Sequence, residues 1–137
     1  MADATILDTG PLVAYLDADE HHHAWAIERF RELPPKFLTC EPVLTEACYL
    51  LGFDPRVMEQ LDRFFENGWL TIPFQFTAER QPVMALMRKY HSVPMSLADA
   101  CLVRLAEMNP ETSVLTLDRH FRIYRKNGRE RIRSIMP

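Results

Sequence analysis

Four acidic residues stand where an acid is costly to place. Asp8 ends the apolar run Thr5-Ile6-Leu7, and Asp118 ends the run "SVLTL". Glu46 and Asp99 lie inside the apolar stretches "VLTEACYLLG" and "SLADACLVRLAEM". On a helix, Glu46 shares a face with Val43 and Leu50, and Asp99 shares one with Leu102, Val103 and Ala106. Both carboxylates are therefore expected to point toward apolar surroundings, where an unpaired acid must neutralise or find a cation. Each acid also has a structural explanation. Glu46 is too far past Pro42 to cap a helix, but it can pair with an arginine or reach water. Asp99 follows Ser96 at capping-box spacing, and Asp8 and Asp118 can cap the helical segments that follow them. A cap and a ligand are compatible roles, because fixing a helix start also aims its carboxylate. Carboxylates gathered together repel one another, and a hard divalent cation with oxygen ligands, Mg²⁺ or Mn²⁺, resolves that conflict.

The elements that must position these acids alternate. A strand is expected at 4–7, then a helix from Pro11, where proline suits the first turn. Residues 20–33 carry helical periodicity through Trp25, Ile27 and Phe30 and stop at "LPP". "KFLTC" reads as a second strand, and Pro42 opens a helix that Gly52 ends. Further helices are expected at 55–66, at about 77–90 and over "SLADACLVRLAEM". "GWLTIPF" and "SVLTL" read as the third and fourth strands, with a last short strand in "RIRSIM". Short buried strands alternating with helices predict right-handed βαβ units and a parallel sheet covered on both faces. Ligands bind beyond the carboxyl ends of such strands, the edge to which Asp8 and Asp118 are delivered.

The 137 residues suit one domain, with no repeat or linker, and 47% apolar and 26% charged residues indicate a globular chain. No stretch approaches the ~20 apolar residues of a membrane span, and no signal-peptide pattern is present. Cys40, Cys48 and Cys101 lie in apolar contexts without a CxxC motif and read as buried free thiols of a cytoplasmic protein. The net charge of -3 hides an asymmetry. Arg119 to Arg133 holds seven basic residues and one acid, while the rest of the chain holds nine basic and eighteen acidic residues.

The segments "LDTGPLVAYLD", "PVLTEACYLL" around Glu46, "SLADACLV" around Asp99 and "VLTLDRHF" around Asp118 resemble the four acidic motifs of PIN domains. The resemblance is closest to the small ribonucleases of the VapC toxin type, and it spans essentially the whole chain with the motifs in order. It implies a three-layer α/β/α sandwich on a central parallel sheet of four to five strands. It also implies a single domain over 1–137 and a metal-dependent endoribonuclease. Asp8, Glu46, Asp99 and Asp118 are then the catalytic, metal-binding acids, with the Thr9 and Thr116 hydroxyls lining the site. Arg119, directly after Asp118, is the first candidate for phosphate contact. Mg²⁺ or Mn²⁺ would lower the pKa of a bound water and stabilise charge on the phosphate, and the Arg119–Arg133 cluster would hold the RNA backbone. A small antitoxin protein that blocks the site and a homodimer are further implications of the resemblance, not of the residues.

Other readings are open at this level. A haloacid-dehalogenase-like phosphatase also begins with a strand ending in Asp, but it needs a second Asp where this chain has Gly10. A receiver-like domain needs an acidic pair where Thr9 follows Asp8. A catalytically inert interaction module would keep the acids as caps. The triplet His21-His22-His23 is expected to be exposed at a helix start, because consecutive helical residues point about 100° apart and cannot share an ion. His91 and His120 have no partner at ligand spacing. Trp25, Phe30, Trp69 and the methionines are expected in the core.

Overall fold

The computed structural model describes residues 4–137. Its elements in order are β1 (Thr5–Leu7), α1 (Thr9–Leu16), α2 (His23–Glu32), β2 (Phe37–Leu38), α3 (Glu41–Leu50) and α4 (Pro55–Glu66). There follow β3 (Leu70–Thr71), α5 (Phe76–Lys89), α6 (Leu97–Met108), β4 (Ser113–Leu115) and a 3₁₀ turn over Arg119–Arg122. The last three are β5 (Arg125–Lys126), β6 (Glu130–Arg131) and β7 (Ser134–Ile135). Every strand and helix expected from the sequence is present. The paired strands are shorter than their apolar runs, and "GWLTIPF" contributes only Leu70 and Thr71. Pro73 has no N–H with which to extend that ladder.

Five strands form one all-parallel sheet in the order β3-β2-β1-β4-β7, as a three-layer α/β/α sandwich requires. Thr5, Ile6 and Leu7 pair with Ser113, Val114 and Leu115 in register. The strand order reverses between β1 and β4. The chain leaves β1 toward β2, whereas it leaves β4 toward β7, so the two connections diverge and open a crevice above the carboxyl ends of these central strands. Consecutive residues of β1 are buried on both sides, as parallel strands under two helical layers must be.

Aromatic rings fasten α1, α2 and α4 together: Tyr15 lies 4.4 Å from Phe30 and 5.7 Å from Phe64, and Phe30 lies 4.7 Å from Phe37 of β2. Helix α6 packs against β1 and β4 and is nearly all buried, from Ala98 through Ala106 apart from Arg104. The Arg104 guanidinium pairs with Glu79 of α5 at 2.8 Å and with Glu107 at 3.3 Å. Cys40 and Cys101 are buried and in contact, and that contact, with burial, holds the Cys40 thiol protonated. Cys48 is only half-buried.

Several expectations are corrected. Helix α1 begins at Thr9 rather than near Pro11, because the Asp8 carboxylate accepts from the Thr9 amide at 2.8 Å and caps the helix there. Trp69, Met84 and Met108 are exposed, Trp69 just before β3, Met108 at the last residue of α6 and Met84 on an uncovered side of α5. His21 is exposed, but His23 is half-buried and its Nδ1 donates to the Ala14 carbonyl at 2.7 Å, so the triplet is partly a clasp between α1 and α2. An antiparallel hairpin, β5 with β6, was not expected from its charged strand residues. Its signal is Asn127-Gly128, both at positive φ, a pair that makes tight hairpin turns.

Where β1 ends, the fully buried Thr39 donates through Oγ1 to the Leu7 carbonyl at 2.8 Å. This bond ties β2 to β1 at the lip of the crevice. Thr39→Val keeps the shape and removes the donor, so unfolding free energy should fall by about 1–3 kcal/mol, read from the urea midpoint. An unchanged midpoint would show that the carbonyl is satisfied without it.

Candidate active site

The crevice above β1 and β4 is a cleft of about 470 Å³ whose lining includes Asp8, Glu46, Asp99 and Asp118. Thr9, Gly10 and His120 line it too. Four acids from four separate elements thus meet one space. Gly10 lets α1 start close to the loop after β4, since a Cβ there would lie 3.1 Å from the Leu117 side chain.

Asp8 sits at the end of β1 and is 7% exposed. Its Oδ1 accepts from the Thr9 amide, and its Oδ2 accepts from Thr116 Oγ1 at 2.6 Å. Thr116 in turn accepts from the Asp118 amide at 2.9 Å. The two strand ends are therefore stitched by one hydroxyl that is itself fully buried and touches the acid rather than the cleft. Burial pushes the Asp8 carboxyl up to about 6. Thr116 and the Thr9 amide oppose that rise, and the charges of Asp99 and Asp118 add to it.

Asp99, in the first turn of α6, is 8% exposed. Its amide donates to Ser96 Oγ at 3.0 Å, so Ser96 caps the helix as its spacing indicated. Its Oδ2 accepts from the Tyr124 hydroxyl at 2.8 Å. Burial raises the Asp99 carboxyl above the ordinary range, the Tyr124 and Ser96 bonds offset part of this, and Asp118 adds to it. Asp118 caps the 3₁₀ turn through Oδ1, which accepts from the His120 amide at 2.9 Å and lies 3.1 Å from His120 Nδ1. His120 therefore has an acidic partner that its ligand spacing alone did not indicate.

Glu46 corrects the sequence reading. It is exposed, and so is Leu50, at 61%; the buried positions of α3 are Val43 and Ala47. The apolar run extends beyond the area that the neighbouring helices cover, leaving Tyr49 and Leu50 in solvent. The argument that burial forces Glu46 to find a cation does not hold. What places it in the cleft is Thr9, whose Oγ1 donates to Glu46 Oε2 at 2.9 Å.

Among the described residues no group of three or more His, Cys, Asp and Glu side chains is gathered closely enough to hold an ion as it stands. The acids line one space without closing on a common point. Among these residues, too, no lysine or arginine lies within ion-pairing distance of any of the four. The donor set fits a hard cation: all oxygen, carboxylate-rich, with two buried acids whose charging has no local cation to offset it.

The basic segment divides. Arg125 Nη1 donates to the carbonyls of Arg122, Ile123 and Tyr124 at 2.8, 3.0 and 3.1 Å. Lys126 is buried, with Nζ 3.1 Å from the Pro110 carbonyl, which Arg133 also reaches at 3.3 Å. Arg119, Arg122, Arg129 and Arg131 are exposed, with no side-chain hydrogen bond or ion pair among the described residues. Arg119 stands beside Asp118 but does not line the cleft. The sequence reading missed Tyr124. Its available signal was a tyrosine six residues after Asp118, in a segment whose burial would oblige the hydroxyl to find a partner.

Comparison with known proteins matches these features. Residues 5–127 match the model of the PIN domain family. A relative, Ribonuclease VapC26 of Mycobacterium tuberculosis (strain ATCC 25618 / H37Rv), is 31% identical over 135 residues, covering 96% of this chain and 99% of its own length. With the parallel sheet, the switch-point cleft and its four acids already in place, these matches establish that the chain belongs to the PIN domain family.

Proposed function

We propose that this protein is a metal-dependent endoribonuclease that hydrolyses RNA phosphodiester bonds at the Asp8–Glu46–Asp99–Asp118 cleft. The observation that carries the reading is the convergence of four carboxylates, from β1, α3, α6 and the end of β4, on one cleft at the switch point of the sheet. The ribonuclease name of a relative aligned along nearly its whole length supports the substrate class. Asp8 and Asp99 would hold Mg²⁺ or Mn²⁺, with Glu46 and Asp118 completing the set. When bound, the ion supplies Lewis-acid stabilisation of phosphate charge and acidifies an attacking water.

The chain's own residues do the rest. Thr9 bridges Asp8 and Glu46, and Thr116 bridges Asp8 to the Asp118 backbone, so both hydroxyls orient acids. Arg119, exposed between the cleft-lining Asp118 and His120, and the exposed Arg122 offer charge to the RNA backbone. By the same family likeness, the protein is the toxin of a type II toxin–antitoxin pair in the cytoplasm. It is held in check by a small antitoxin and assembles as a homodimer. Among the described residues no helix is long and apolar enough to cross a membrane.

A second reading, a catalytically inert interaction module, has one observation on its side. Asp8 and Asp118 already serve as helix caps, and no three acids close on a point among the described residues. One experiment separates the two. Purified protein with Mn²⁺ should cleave single-stranded or structured RNA. EDTA should abolish cleavage, and Asp8→Asn or Asp99→Asn should lower it roughly 100-fold or more. Cleavage that survives both substitutions would sink the assignment.

Asp8 also sets a pH dependence. Its folded pKa, about 6, lies above its unfolded value of 3.8, so the folded state holds the proton longer as pH rises. Stability from this group is full below pH 3.8 and is lost as pH climbs through about 6. In EDTA, Asp8→Asn should gain about 3 kcal/mol over the native protein at pH 7.5, and little at low pH. Urea unfolding at the two extremes checks this, and equal gains at both would rule out the buried charge as the cause. For Arg119→Ala, the logarithmic salt slope of RNA binding should fall by about 0.7, measured by fluorescence anisotropy. An unaltered slope would remove Arg119 from the phosphate contacts.

A further inference from the structure

The Tyr124 hydroxyl reaches Asp99 from within a packed aromatic cluster. Its side chain is fully buried, and its hydroxyl donates to Asp99 Oδ2 at 2.8 Å. The ring meets Phe121 edge-on at 5.3 Å and 85°, and Tyr90 at 5.2 Å and 68°. Tyr90 is anchored in turn, since its hydroxyl accepts from the Arg125 amide at 3.0 Å. The Arg125 guanidinium gathers three carbonyls of the same turn, fixing the backbone that carries Tyr124. Two rings and a braced turn therefore hold one phenol against one carboxylate.

We infer that Tyr124 is a positioning residue for metal binding: by donating to Oδ2, it fixes the orientation in which Asp99 presents its remaining coordination capacity to the cleft. This inference rests on the metal reading given above. A carboxylate has about four acceptor directions. The last torsion of an aspartate is a broad one, and beside Ser96 the Tyr124 hydroxyl is the donor that reaches this carboxylate. A donor locked by packing removes that freedom before any ion arrives. Such outer contacts to ligating carboxylates are worth about 10–100-fold in metal affinity. The contact also joins the 3₁₀ turn after Asp118 to α6, so the segments carrying two of the four acids are braced against each other.

The test is Mn²⁺ affinity without RNA, read from the electron paramagnetic resonance signal of the free ion. The proteins are the native chain, Tyr124→Phe, Asp99→Asn and Phe121→Leu. Tyr124→Phe should bind Mn²⁺ roughly 10-fold or more weakly. Phe121→Leu loosens the same packing but keeps the hydroxyl, and should stay within about twofold of the native chain. If Tyr124→Phe binds as the native chain does, or if Phe121→Leu loses as much affinity, the phenol only fills the core and the inference is overturned. Native chain that binds no Mn²⁺, or Asp99→Asn that binds it undiminished, would defeat the metal reading itself, an outcome distinguishable from failure of Tyr124 alone. Should Tyr124→Phe not fold, 3-fluorotyrosine placed at position 124 leaves the packing in place. Its fluorine resonance should move on Mg²⁺ saturation, and a resonance that stays fixed overturns the inference.

Discussion

The pairing of β1 with β4 brings Thr116 Oγ1 to 2.6 Å from Asp8 Oδ2, across 108 positions of sequence. Everything at the carboxyl edge of the sheet depends on that register. Thr116 also accepts from the Asp118 amide, and Asp8 also accepts from the amide that starts α1. The register thus fixes where the first helix begins, where the chain turns after β4 and how far apart their acids stand. A slip of one residue would turn Thr116 to the opposite face of the sheet and remove the donor. The fold and the site are specified by the same ladder.

That ladder also concentrates negative charge. Asp99 and Asp118 raise the proton affinity of Asp8, and Asp118 raises that of Asp99, but burial is the largest cause for both. A sheet edge optimised for stability would carry neutral residues there. The metal-free chain instead keeps a destabilising charge, as functional sites commonly do. On the proposed function a divalent cation would reverse the balance, because carboxylates that repel their neighbours would become ligands and binding would stabilise the folded state by mass action.

Much of this was legible from the residues. Parallel topology followed from short apolar runs alternating with helical periodicity, and Asp8 and Asp118 were placed on the functional edge because each ends such a run. Asp99 was expected on the buried face that it shares with Leu102, Val103 and Ala106, and it lies there because α6 is covered along its length. Glu46 was misjudged for a physical reason. Helical periodicity says which residues share a face, not whether a neighbour covers that face along its whole length, and α3 outruns its cover at Tyr49 and Leu50. The Tyr124–Asp99 bond was illegible because it depends on how tightly the 3₁₀ turn folds back, which no periodicity encodes. The basic segment looked uniform, yet Arg125, Lys126 and Arg133 serve backbone carbonyls, which only coordinates can reveal.

The caps explain how such a site can exist before any ion binds. Asp8 is the N-cap of α1, Asp99 lies in the first turn of α6, and Asp118 is the N-cap of the 3₁₀ turn. Asp8 Oδ1 accepts from the Thr9 amide and Asp118 Oδ1 from the His120 amide, while the Asp99 carboxylate accepts from the Tyr124 hydroxyl. Glu46 alone lies in mid-helix, where no amides are free, and it alone is exposed. Water and the Thr9 hydroxyl solvate it instead. Every acid thus has a source of stabilisation suited to its depth. The capping role and the proposed ligand role, which compete as explanations of a single residue, are compatible at this edge: the donors that hold Asp8, Asp99 and Asp118 engage them before any ion would bind.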